Sequence, residues 1–178
     1  MKKITLLVFT MLIISTGLYA QKTNVIKTDL FSAFLRTGAL KYERALNEDM
    51  SIQIGFLYTA FTPNDSDGKL NGFGITPEFR YYLSDTPAPN GTYLAPNLRY
   101  LNLTVENTAT QEEGTFTSVG FGVNLGKQAV LKDVIAIDAW VGPTYNFRTL
   151  VDAGDADAGI PDVNGFGIRL GIAIGIVF

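Results

Sequence analysis

Apolar and small or polar residues alternate with a period of two along most of this chain. In the last segment Ile168, Leu170, Ile172, Ile174, Ile176 and Phe178 fall on one face. Gly167, Arg169, Gly171, Ala173, Gly175 and Val177 fall on the other. That spacing belongs to β-strands that separate two environments. The same alternation places Ile52, Ile54, Phe56 and Tyr58 opposite Ser51, Gln53, Gly55, Leu57 and Thr59. It sets Ile75, Pro77, Phe79 and Tyr81 against Thr76, Glu78, Arg80 and Tyr82. Segments built on Leu94–Tyr100, Val119–Leu125 and Ile135–Tyr145 repeat it. Two less regular strands are expected over Asn24–Leu35, with Lys27, Asp29 and Phe31 on one face, and over Ala39–Leu46, with Lys41 and Glu43 on one face. The total is eight strands, and no segment is expected to form an amphipathic helix.

The expected connections are of two kinds. Asn47–Asp49, Ser84–Thr92 and Lys127–Asp133 follow even-numbered strands. Arg36–Gly38, Phe61–Gly72, Leu103–Gly114 and Arg148–Gly165 follow odd-numbered ones. The second set is mostly longer and carries Asp65, Asp67, Glu106, Glu112, Glu113, Asp152, Asp155, Asp157 and Asp162. An even strand number with the long loops at one end is the plan of a transmembrane barrel. The fold class is therefore all-β, an eight-stranded antiparallel up-and-down transmembrane β-barrel.

Face composition decides which side is wet. The less apolar face is mostly Gly, Ala, Ser, Thr and Asn, and the chain holds 18 glycines. Glycine covers a solvent-facing sheet poorly. Small residues suit the inside of an eight-stranded barrel, whose interior is only wide enough for side chains. The bulky face then meets lipid. The inward charges are Asp29, Glu43, Glu78 and Asp138 against Lys27, Lys41, Arg80, Arg99 and Arg169, a set expected to pair across the lumen and plug it. Trp140 is expected to fill the interior. Tyr58, Phe61, Phe73, Phe116, Tyr145, Phe147 and Phe166 are expected to ring one rim, and Tyr42, Tyr81, Tyr93 and Phe178 the other. Pro77, Pro96 and Pro143 each require a bulge or an unpaired site, since proline cannot donate to the ladder. Arg44, on the outward face, is tolerable only beside the Asn47 turn, where a long cation reaches the headgroups.

Residues 1–20 form an export signal. Lys2 and Lys3 precede the apolar run Ile4–Ile14, and cleavage is expected after Ala20. The domains are thus a signal peptide over 1–20 and an outer-membrane barrel over 21–178.

Asn24-Val25-Ile26-Lys27-Thr28-Asp29-Leu30, Tyr42-Glu43-Arg44-Ala45-Leu46, Gly74 to Leu83 and the terminal Phe178, together with the leader, resemble the DUF3575-type small outer-membrane β-barrels of Bacteroidetes. Wider kinship with OmpA- and OmpX-like barrels is by fold alone. The resemblance implies outer-membrane residence among lipid and glycolipid. It also implies insertion by the barrel assembly machinery, with Phe178 as the assembly signal. It implies no activity and no catalytic residues.

Composition narrows the chemistry. There is no histidine and no cysteine, which removes the usual zinc sites, thiol nucleophiles and the histidine-dependent barrel enzymes. Glu78 and Asp138 could form a carboxylate pair, but ion pairing with arginine is the expected fate, so the protein is expected not to be an enzyme. A net charge of −3 disfavours nucleic acid. Asp65-Ser66-Asp67-Gly68 and Asp152 to Asp157 offer oxygen ligands, yet neither follows the EF-hand spacing, so no metal and no cofactor are expected. The expected role is structural or interactive: envelope integrity, adhesion or recognition through the acidic loops. A narrow conduit or small-solute binder and a soluble, lipocalin-like binding protein are the alternatives.

Overall fold

The computed structural model describes residues 23–34, 37–61, 68–107, 112–152 and 164–178. The eight strands are β1 (Asn24–Asp29), β2 (Thr37–Ala45), β3 (Met50–Phe61), β4 (Gly68–Tyr82), β5 (Gly91–Asn107), β6 (Glu112–Leu131), β7 (Ile135–Asp152) and β8 (Gly165–Val177). Each pairs antiparallel with its neighbours in chain order, and β1 pairs with β8 to close the barrel. Asn24 and Phe178 complete that seam by exchanging backbone hydrogen bonds of 3.0 and 2.9 Å.

Alternation sorts the side chains as the period requires. Ile172, Ile174 and Ile176 of β8, Val119, Phe121, Val123 and Leu125 of β6, and Ile52, Ile54 and Phe56 of β3 are all exposed. Lys27, Glu43, Arg80 and Asp138 are buried inside. A protein surrounded by water has the opposite distribution.

Several boundaries differ from the expected ones. β1 stops at Asp29, and Leu30–Phe34 forms a short helix, α1. Asp29 Oδ1 accepts a 3.0 Å hydrogen bond from the Ser32 backbone N–H, which turns the chain out of the strand. Leu30 and Phe31 are consequently exposed, where Phe31 was expected to face inward. Thr37 and Gly38 belong to β2 and not to a turn, and Lys127–Leu131 continue β6 up to a tight turn at Lys132–Val134. β4 to β7 also run well into the segments expected to be loops, with β6 reaching 20 residues. Polar strand ends such as Lys69–Asn71 read as loop because alternation weakens where no apolar face is needed. The leader, Asp65, Asp67, Asp155, Asp157 and Asp162 lie outside the described residues, as do the side chains of Phe61, Glu106, Glu112, Glu113 and Asp152.

Two aromatic assignments are corrected. Phe116 and Tyr93 are fully buried and point inward. Phe116 continues the inward series of Ser118, Gly120 and Gly122, and Tyr93 that of Ala95 and Asn97, so parity outweighs position near the strand end. Tyr58, Phe73, Tyr145, Phe147 and Phe166 are exposed toward the loop end, and Tyr42, Tyr81 and Phe178 toward the other. Tyr145 and Phe147 make an edge contact at 5.1 Å.

The prolines lie on the outward face inside β4, β5 and β7. The β4–β5 ladder is interrupted at Pro77 and Pro96, and the β6–β7 ladder at Pro143, with the register unchanged across each gap. On the opposite side each proline stays in register, with Ile54, Val123 and Ile168 respectively. The missing N–H is thus absorbed as an unpaired site without a bulge at any of the three.

Inside, Gly171 leaves room for the Trp140 ring, since a Cβ there would sit 2.1 Å from Trp140 Cζ2. Gly171→Val should force the indole from its place and cost about 1–3 kcal/mol. Gly167→Ala, whose new methyl would meet only Thr144 Cγ2 at 3.5 Å, should be tolerated. The urea midpoint of the detergent-folded protein measures both.

Candidate functional site: the charged lumen

The inward faces of β1, β2, β4 and β7 bring four charged side chains to one point near the end of the barrel that holds Asn24 and Phe178. Lys27 Nζ donates to Glu43 Oε2 at 2.6 Å, Gln128 Oε1 at 2.6 Å and Asp138 Oδ2 at 2.9 Å. An ammonium group has three donors, and all three are used. Arg80 reaches Glu78 through Nε at 2.6 Å, Glu43 through Nη1 at 3.1 Å and Asp138 through Nη2 at 3.0 Å. Its guanidinium also lies 4.1 Å from the centre of the Tyr93 ring, a cation–π contact.

Neutral donors finish the carboxylates. Glu43 Oε1 accepts from Ser51 Oγ and Tyr82 Oη, both at 2.6 Å. Asp138 Oδ1 accepts from Tyr93 Oη at 2.8 Å. Glu78 accepts from Gln53 at 3.2 Å and Asn124 at 2.8 Å. Glu43, Asp138 and Lys27 are wholly buried. In a medium of low dielectric such charges persist only when paired and hydrogen-bonded.

A second, smaller arrangement sits above the first. Lys41 pairs with Asp29 at 3.0 Å, and its Nζ lies 3.3 Å from the centre of the Trp140 ring. Of the nine charges expected in the lumen, seven are therefore linked in two groups. Arg99 and Arg169 also face inward, but no carboxylate among the described residues lies within ion-pair distance of either. Arg99 Nε and Arg169 Nη1 are buried without a hydrogen-bond partner. Glu78 and Asp138 come to one site, each bonded to Arg80, so neither is a free acid or base for chemistry.

Sequence reasoning missed the neutral half of the network and the element beneath it. Gln128 accepts from Lys27 and Arg80, at 2.6 and 3.3 Å, and donates to the carbonyl of Pro89 at 2.6 Å. Pro89 belongs to the β4–β5 connection, which folds under the network. Ala88 N–H bonds Glu48 O, Val130 N–H bonds Asn90 Oδ1, and Ala88 packs against the cluster of Tyr82, Tyr93 and Trp140. The signal available was Pro87-Ala88-Pro89, an apolar stretch in an otherwise polar turn. Gln128 was assigned to a turn, which hid its inward parity.

Arg80 is the partner common to Glu43, Glu78 and Asp138. Arg80→Met should strand those carboxylates and lower the unfolding free energy by about 3–5 kcal/mol, read from urea denaturation in detergent micelles.

Comparison with known proteins bears on the fold and the family. The chain is similar to the N-terminal β-barrel domain of Pseudomonas aeruginosa OprF, whose crystal structure it matches with a TM-score of 0.55 at 15% identity, over 89% of this chain and 98% of that one. No curated protein matches. Residues 5–150 match the family described as protein of unknown function DUF3575. The chain folds as a closed eight-stranded barrel and most of its length lies inside that match, so it belongs to the DUF3575 family.

Proposed function

We propose that the protein is an integral outer-membrane β-barrel with a structural or surface-interaction role, sealed at its terminus-side end by the lumen network. The observation that carries this reading is the inverted distribution of side chains. Ile54, Phe56, Val119, Phe121, Val141 and Ile172 form an exposed belt, far beyond the isolated apolar residues of a soluble surface. Lys27, Glu43, Arg80 and Asp138 meanwhile occupy the centre. Hydrocarbon accepts such a belt, and closure leaves no strand edge to satisfy.

Strand length supports the assignment. β2 to β8 range from 9 to 20 residues, and a tilted strand needs about 9–11 to cross the hydrocarbon. The exposed aromatic groups at both rims match headgroup level, and Arg44 lies on the outward face one residue before β2 ends at Ala45. In this reading residues 1–20 direct export and are removed after Ala20. The barrel assembly machinery engages β8 with Phe178, and the hairpin ends opposite the termini face outward. Lipid and glycolipid are its immediate surroundings, and the role is non-catalytic.

The sealed end argues against a conduit. Lys27, Arg80, Glu43, Gln128 and the Pro89 carbonyl occupy that end of the bore. Purified protein in planar bilayers should give no steady open-channel current, and stable conductance steps would favour the conduit instead. Unboiled and boiled samples should migrate differently on a denaturing gel, and extraction should require detergent. A folded, monodisperse protein in plain buffer would overturn the membrane assignment.

A further inference from the structure

Among the described residues, Arg99 of β5 and Arg169 of β8 are the two inward cations that the ion-pair groups do not take up. Both line a cavity of about 80 Å³ next to Lys41 and Glu78. Both also line a second cavity of about 170 Å³ toward the loop end, with Ser118, Thr144 and Asn146. Glu78 and Asp29 share the first cavity, but their oxygens are engaged. Glu78 is held by Arg80, Gln53 and Asn124, and Asp29 by Lys41 and the Ser32 backbone.

Two guanidinium groups lining one narrow space repel one another unless an anion lies between them. Each presents a planar fork of donors matched to the oxygens of a phosphate. Arg99 Nε and Arg169 Nη1 are buried donors with no hydrogen-bond partner among the described residues, and buried donors are rarely left so. The surrounding hydroxyl and amide groups of Ser118, Thr144 and Asn146 add neutral polar contacts. The volume admits several waters or one small oxyanion. We propose that Arg99 and Arg169 form a binding site for a phosphate-type oxyanion, either the free ion or the phosphoryl end of a small solute, in the loop-side half of the lumen. The site does not depend on where the barrel resides, since it faces the interior.

The test uses the full-length protein folded in detergent, with a heat-shifted gel band as proof of folding. Its urea midpoint is followed on titration with sodium phosphate, with sodium glycerol phosphate, and with sodium chloride at equal ionic strength. Phosphate should raise the midpoint where chloride does not, as any ligand of the folded state must. A shift with glycerol phosphate as well assigns the site to a phosphomonoester. A shift with phosphate alone assigns it to the free ion. Arg99→Met and Arg169→Met should each weaken the apparent affinity roughly tenfold or more, and the double variant should lose the response. Without phosphate these variants should fold at least as well as the parent, because each removes an unpaired buried charge. That behaviour is opposite to the loss expected for Arg80→Met. No phosphate response in the parent beyond that of chloride overturns the proposal, whatever the variants do. A response that survives in the double variant overturns it as well.

Discussion

Closing β1 on β8 is the constraint from which the other features follow. Once the sheet returns on itself it has no edge, so every strand must send one set of side chains outward and the other into a narrow bore. Most of the Ile, Leu, Val and Phe side chains of the described strands go outward. The bore therefore inherits every charge that shares their strands with the opposite parity. Those charges have little water to fall back on, and they must answer one another. Lys27 with three acceptors and Glu43 with four donors are what that demand produces.

Small residues make the answer possible. Glycine at 171 leaves space for the Trp140 ring, and the glycine at 126 leaves space for the Tyr93 ring. The large side chains of the lumen thus share it with positions that have none. The same economy of space explains why the β4–β5 connection can tuck beneath the network and present a backbone carbonyl to Gln128. A longer or more polar connection would have left the end of the bore open to water.

Much of this is legible in the sequence. A strict period of two from Gly167 to Phe178 names both faces of β8, and inward parity alone collects nine lumen charges among the described residues. Parity misplaces Phe31, where α1 ends the strand, and otherwise errs where it is set aside. Phe116 and Tyr93 were given to the rims for being aromatic and near strand ends, although their neighbours two positions on face inward. The pairing of those charges is a different matter, because parity gives a face and not a distance. Arg80 meets Glu43 across 37 positions of sequence and Asp138 across 58. Only the barrel's closure and register bring them together. The short helix α1 was invisible because five residues are too few to show a helical period, and its cause is a single bond from the Ser32 backbone to Asp29.

Trp140 gives the molecule an unintended property. It is the only tryptophan in the chain, it is buried in the bore, and Lys41 lies against its ring. The other ultraviolet absorbers are the phenol rings of tyrosine, which absorb little at the red edge of the indole band, and Tyr42, Tyr58, Tyr81, Tyr100 and Tyr145 lie on the outer surface. Emission excited at the red edge therefore reports on the filling of the interior and hardly at all on what touches the outside. A barrel that has reached the bilayer but not yet assembled its centre would be distinguishable, by that one fluorophore, from one that has done both.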